Sequence, residues 1–209
     1  MSGKMTLHWS PRSPYVRKVM IAVHEMGLLD RIQTVRTIVG GTTPHETLMK
    51  INPLGKIPTL ELEDGTTIYD SPVIIEYLDT LHEGPKLFPS SWPERLTALR
   101  RHALGQGMLD CALPLLSESF RPAERQSEAH KSLWRTKLRA SVSALESEAE
   151  QLRASEFSIG HLAIGVALSY LDFRFADLAW RNDHKKLAGW HDIFQARPSV
   201  QANPVIDDR

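Results

Sequence analysis

Residues 52–72 read NPLGKIPTLELEDGTTIYDSP, and the punctuation in this stretch decides the fold of the first part of the chain. Asp64-Gly65 lies between two alternating runs, Thr59 to Glu63 and Thr66 to Tyr69, an arrangement that marks a tight β-hairpin. Pro58 precedes the first run, a place where a strand tolerates a missing N–H. Asp70-Ser71-Pro72 then opens a helix by the logic of a capping residue followed by proline, and Ile74, Tyr77, Leu78 and Leu81 fall on one face of it.

Toward the N-terminus, Met5 to Trp9 alternates as a half-buried strand does and ends at the turn Ser10-Pro11-Arg12. Ser13-Pro14 starts a helix whose Val16, Val19, Met20 and Val23 recur at helical spacing until Gly27. Ile32 to Ile38 is β-branched enough for a second strand, and Gly40-Gly41 breaks it. A short helical or irregular stretch leads to Asn52. The order is therefore βαβ, a short α segment, a hairpin and a helix.

Toward the C-terminus, Gly84, Pro85, Pro89, Ser90, Ser91 and Pro93 mark a linker. The expected division is residues 1–82, a linker at 83–93 and an all-helical part at 94–209. Glu94 to about Leu116 reads as one helix, with Gly105, Gly107 and Pro114 as candidate break points. Ser127 to Ala154 carries Leu138, Val142, Leu145, Ala149 and Leu152 along one stripe. Ile159 to about Phe173 is apolar on most faces and reads as the buried central helix. Lys185 to Ala196 is the last helix, stopping before Pro198.

Twenty-five Lys plus Arg balance twenty-five Asp plus Glu, so no bulk field draws the 209-residue chain to nucleic acid or an anionic membrane. Cys111 is the one cysteine, which excludes an internal disulfide and a cysteine-based zinc site and suits a reducing compartment. It reads as a small core residue rather than a nucleophile. The nine histidines show no metal-binding spacing, and no phosphate-cradling glycine loop occurs. No apolar run reaches membrane-spanning length, the N-terminus has no secretory pattern, and cytoplasmic residence is the default. Arg100-Arg101-His102 reads as a solvated helix face or a basic edge near a cleft between the two parts of the chain, and Glu148 as an ordinary surface position.

Three features carry chemistry. Periodicity alone favours an ordinary trans Pro58; if the bond is cis, the Ile57 main chain turns outward and can pair with an extended peptide. Ser13 and Ser71 stand at helix starts, where capping is the common role of serine. Helix starts also attract anions, so the same positions can hold a thiolate and a carboxylate, and Asp70 can pair with an amino group.

Ser13-Pro14-Tyr15-Val16-Arg17-Lys18, Asn52 to Pro58 and Asp70-Ser71, in that order and spacing, resemble the cytosolic glutathione transferases. Leu171 to Phe175 and Trp190 to Pro198 extend the resemblance to bacterial YibF-like members. It implies a thioredoxin-like N-terminal domain (βαβαββα), a helical-bundle C-terminal domain, and glutathione as co-substrate. By the same resemblance Ser13 assists the thiolate, making this a serine-type member, and Ile57 precedes a cis-proline. Asp70 and Ser71 hold the γ-glutamyl end, while Lys56 and His45 reach the rest of the tripeptide. A small electrophile is then expected between Tyr15 and the Met108–Leu116 region, and a homodimer as the assembly. Non-catalytic adaptors and glutathione-dependent isomerases or dehalogenases share these features. Two departures stand out. Ser13 replaces the cysteine of thiol-transferring relatives, which disfavours disulfide exchange. His161 stands where a reciprocal helix cap calls for an acid, so that box is expected to be incomplete.

Overall fold

In the computed structural model, which describes residues 4–207, the chain forms two compact units. One runs to Phe88 and takes in the segment from Pro198; the other is Pro89–Arg197.

The first unit is built on four strands, β1 (Met5–Trp9), β2 (Ile32–Arg36), β3 (Thr59–Glu61) and β4 (Thr67–Ile68), in the order β2-β1-β3-β4. β1 and β2 are parallel, as the intervening helix requires, and β3 and β4 are antiparallel additions. Helices α1 (Pro14–Glu25) and α3 (Ser71–Asp79) pack against each other, and α2 (Glu46–Met49) is a single turn. Leu7, Val19, Leu60, Ile74 and Leu78 have no exposed surface and form the core.

The strands are shorter than the alternation suggests. At the hairpin, the Leu62 N–H bonds the Thr66 carbonyl at 2.8 Å, and Asp64 Oδ1 accepts the Thr66 N–H at 2.9 Å, drawing those residues into the turn. The Gly- and Pro-rich stretch after α3 is held by a buried carboxylate. Asp79 accepts the N–H groups of Leu87 and Phe88, each at 3.0 Å.

The second unit contains α4 (Trp92–Ser119), α5 (Glu128–Ala154), α6 (Ile159–Arg174) and α7 (Lys185–Gln195). The α5 stripe is buried residue for residue as its period predicts, because one face of a helix is one seam of the core. α4 runs unbroken through Gly105, Gly107 and Pro114. Gly105 is there for close approach: a Cβ added to it would stand 2.5 Å from the Ala163 carbonyl carbon in α6. Gly160 does the reverse, since its Cβ would meet Arg101 Cβ at 2.7 Å and the Ala98 carbonyl oxygen at 2.8 Å.

The final helix, α8 (Pro198–Gln201), was not signalled by periodicity, being one turn long. It belongs to the first unit, packs on α1, and its Ser199 hydroxyl donates to Glu25. Residues 198–207 therefore differ from the all-helical assignment given to 94–209. Arg101 and His102 are also not solvated. They are 4% and 9% exposed, and Arg101 donates to Glu148 at 3.3 Å and to Ser155 Oγ at 3.0 Å. Glu148 binds Arg100 as well, at 2.7 Å, so it is a pinning residue and not a neutral surface position.

Buried α6 starts with a complete cap, contrary to the expectation from sequence. Ser158 is the N-cap, and His161 closes the capping box: its Nδ1 accepts the Ser158 N–H at 3.2 Å and lies 2.9 Å from Ser158 Oγ. Its other nitrogen donates to the Leu152 carbonyl at 3.1 Å. A neutral imidazole thus does the work of the usual acid. Burial, reinforced by Arg101 and Arg197, pulls the imidazole pKa down to about 4. Above pH ~6.5 both folded and unfolded forms carry it neutral; as pH falls from there toward 4, only the unfolded chain takes up the proton, and stability is lost. The expected difference between pH 7 and pH 5 is about 2 kcal/mol. Urea unfolding at the two pH values should show this excess loss in the parent chain relative to His161→Asn; equal losses would contradict it.

Candidate functional site

The sheet topology gathers the sequence motifs at one end. β1 and β3 are antiparallel with His8 opposite Thr59, so the chain leaving β1 and the chain entering β3 lie at the same end of the sheet. β4 is antiparallel to β3, with Ile68 opposite Leu60, and therefore leaves the sheet at that same end. Ser13, Ile57, Asp70 and Ser71 follow or precede these strands by a few residues. Three motifs spread over residues 13–71 are thereby brought to one end of the sheet.

Ser13 is the N-cap of α1. Its Oγ accepts the Val16 N–H at 3.3 Å, and its own N–H bonds the Ser10 carbonyl at 3.1 Å. A hydroxyl that accepts through a lone pair still has its proton to donate, so capping leaves a donor for a second group. Pro14 takes the first helical position, where its missing N–H costs no bond.

Ile57 is buried with Val16 and Leu48, and Trp9, Met20, Val39 and Ile51 pack around them. This cluster seats the Asn52–Pro58 loop against α1 and α2. The Ile57–Pro58 bond is cis, which replaces the trans reading that periodicity favoured; Tyr69–Asp70 is cis as well. Among the described residues, the Ile57 main chain makes no hydrogen bond within the chain. Asn52, quoted in the motif but given no role from sequence, fastens the loop. It is 1% exposed, donates to the Lys56 carbonyl and Thr59 Oγ1 at 3.1 and 2.9 Å, and accepts the Leu54 N–H at 3.0 Å. Its signal is an amide side chain at the start of a loop bounded by Pro53 and Pro58.

At α3 the roles differ from the simple Ser-Pro reading. Asp70 occupies the N-cap position and Ser71 is the first helical residue, so Ser71 does not cap. Neither does the exposed Asp70 carboxylate bond an α3 amide, which leaves the helix start without a side-chain cap. Ser71 is fully buried, and its Oγ has no hydrogen-bond partner. Such a helix start favours a negative group.

His45 and Lys56 lie on the same loop system with different uses. His45 caps α2, its Nδ1 accepting the Leu48 N–H at 3.1 Å, so one ring nitrogen is already committed. The Lys56 side chain is exposed, while its carbonyl accepts from Asn52 and Thr59.

Elsewhere, Cys111 is half-buried, and burial with nearby Asp110 pushes its thiol pKa up, which opposes a nucleophilic role. No group of His, Cys, Asp and Glu suited to a metal ion occurs among the described residues. No described helix is long and apolar enough to cross a membrane.

The family description "Glutathione S-transferase, N-terminal domain" matches residues 12–81, and its C-terminal counterpart matches residues 125–192. The Escherichia coli K12 protein named "Uncharacterized GST-like protein YibF" is 32% identical, covering 88% of this chain and 90% of that one. A glutathione transferase family member from Pseudomonas fluorescens Pf-5, solved with bound glutathione, is 39% identical with a TM-score of 0.94, over 98% and 100% of the two chains. A glutathione S-transferase from Methylobacillus flagellatus KT, solved with glutathione bound, is 29% identical with a TM-score of 0.90, over 97% and 100%. With its motifs converging on one end of a thioredoxin-like sheet and relatives matching along nearly its whole length, the chain belongs to the glutathione S-transferase family.

Proposed function

We propose that this protein is a serine-type glutathione transferase that activates the glutathione thiol for attack on a small electrophile, as in cytoplasmic detoxification. The observation that carries the reading is the convergence, at one end of the sheet, of the Ser13 hydroxyl, the unpaired Ile57 main chain and the uncapped start of α3 with its buried, unpartnered Ser71 hydroxyl. The bound glutathione in similar solved structures supports it.

Each part of the tripeptide has a chemical match. The Ile57 N–H and C=O extend the cysteinyl main chain as a neighbouring strand would. The γ-glutamyl carboxylate lies at the α3 start, accepting a hydrogen bond from the Ser71 hydroxyl, and the γ-glutamyl ammonium pairs with Asp70. Lys56 and His45, through its uncommitted nitrogen, serve the glycyl carboxylate. The thiol sits at the start of α1. A free thiol titrates near ~8.5, and a donor hydroxyl with a helix N-terminus lowers that by about one to two units. At one unit the preference for thiolate is about 1.4 kcal/mol. The thiol loses its proton to solvent, and Ser13 donates a hydrogen bond to the resulting thiolate; a sulfur lone pair forms the S–C bond at the electrophile while the bond to the leaving group breaks and that group departs with the electron pair. The partners of the reaction are glutathione and a small electrophile, and the working assembly is a homodimer.

Calorimetric titration with glutathione tests the reading. Asp70→Ala should weaken binding at least about tenfold, the loss of a charge-assisted pair. Glu83→Ala, an exposed position in the same unit, should leave it unchanged. Equal effects would remove the assigned site, and no binding by the parent chain would leave the adaptor reading in its place.

A further inference from the structure

A cavity of about 200 Å³ opens in the first unit, beside β2, among the end of β1, the flank of α1 and the segment that follows α8. Its walls are mostly carbon: Trp9, Pro11, Val16, Met20, Pro204 and Ile206. Arg17 and Ser10 also line it, at 7% and 4% exposure, yet Arg17 Nη1 and Ser10 Oγ have no hydrogen-bond partner. The guanidinium is anchored, since its Nε donates to the Asn203 carbonyl at 2.7 Å. Among the described residues no ion pair engages it, and burial alone pulls its pKa down to about 10. A cation taken out of water without a counter-charge is strongly unfavourable, and it is relieved by an anion that enters the cavity. Apolar walls select an anion that carries an apolar body over a bare inorganic one.

We propose that this cavity binds a small organic acid, its carboxylate paired with Arg17 and Ser10 and its ring or short branched body against Trp9, Met20 and Ile206. None of the residues assigned to glutathione lines the cavity, so the site stands independently of the thiol chemistry. Occupancy joins α1 to the segment after α8 through one ligand.

Benzoate is a suitable probe, with benzyl alcohol as its neutral counterpart and inorganic phosphate as an anion without an apolar body. Calorimetry on the full chain at constant ionic strength should give saturable benzoate binding, at least about tenfold tighter than benzyl alcohol, and no saturation with phosphate. Arg17→Met should weaken benzoate at least about tenfold. Because that variant also loses the bond to Asn203, Ile206→Trp provides a second check: it fills the cavity with Arg17 in place and should abolish benzoate binding while glutathione binding is kept. Absence of saturation, equal affinity for benzyl alcohol, phosphate binding as tight as benzoate, or unchanged benzoate affinity in either variant would overturn the proposal.

Discussion

Ser13→Asp is expected to fold and melt like the parent chain while conjugating glutathione about tenfold or more slowly at neutral pH. Aspartate caps a helix about as well as serine, so the Val16 N–H keeps a partner. The added negative charge stands where the thiolate must form. A like charge beside the sulfur raises the thiol pKa by about a unit or more, and each unit removes roughly nine-tenths of the thiolate when the pKa lies above the working pH. Ser13→Ala loses the cap, worth about 0.5 to 2 kcal/mol, together with the donor. The pair of variants separates the two roles. If Ser13 were only a cap, activity would follow stability, and the Asp variant would be the more active one. Thermal melts beside turnover of a chlorodinitrobenzene electrophile decide the matter, and an Asp variant with full turnover would leave Ser13 as a helix cap alone.

A second large effect concerns two glycines in one helix, with opposite signs. Gly105→Ala gains helix propensity of about 1 kcal/mol but forces a Cβ to 2.5–2.8 Å of main-chain atoms of Ala163 and Ile164. Main chain in a buried helix cannot swing aside as a side chain does, so α4 and α6 must separate, and overpacking costs about 1 to 3 kcal/mol. The net result is a loss of about 1 kcal/mol, rising to about 2 where the main chain yields least. At Gly107 a Cβ meets nothing within 4 Å, so Gly107→Ala keeps the propensity gain and should stabilise by up to about 1 kcal/mol. Urea midpoints of the two variants should move in opposite directions. A Gly105→Ala chain as stable as the parent would mean that the helices are not held at this separation.

The sequence made some of this legible because the physics involved is local. The α5 stripe follows from a period of 3.6 residues, α1 from a Ser-Pro start, and the hairpin from Asp64-Gly65. What stayed hidden depends on partners distant along the chain. Gly105 and Gly160 look like helix breakers until the helix they touch is known. His161 looks like a defect in a cap, because its tautomer is set by the Leu152 carbonyl nine residues away. Arg101 and His102 look solvated by charge, whereas Glu148 and Ser155 satisfy the buried guanidinium. At the candidate site, the order of the three motifs was readable, but their common location comes from sheet pairing. That Asp70 and not Ser71 takes the N-cap position rests on a one-residue offset no pattern specifies. The single turn α8 and its seat on α1 had no periodic signal at all, and the cavity around Arg17 depends on that seat.

The central claim is that this chain binds glutathione with its thiol at the start of α1 and stabilises the thiolate there. A pH titration of the thiolate absorbance of bound glutathione, with the protein in excess, measures it directly. The account predicts a thiol pKa about one to two units below the ~8.5 of a free thiol, returning toward that value in Ser13→Ala. Glutathione that binds with an unshifted thiol, or a shift that survives loss of the Ser13 hydroxyl, would contradict it.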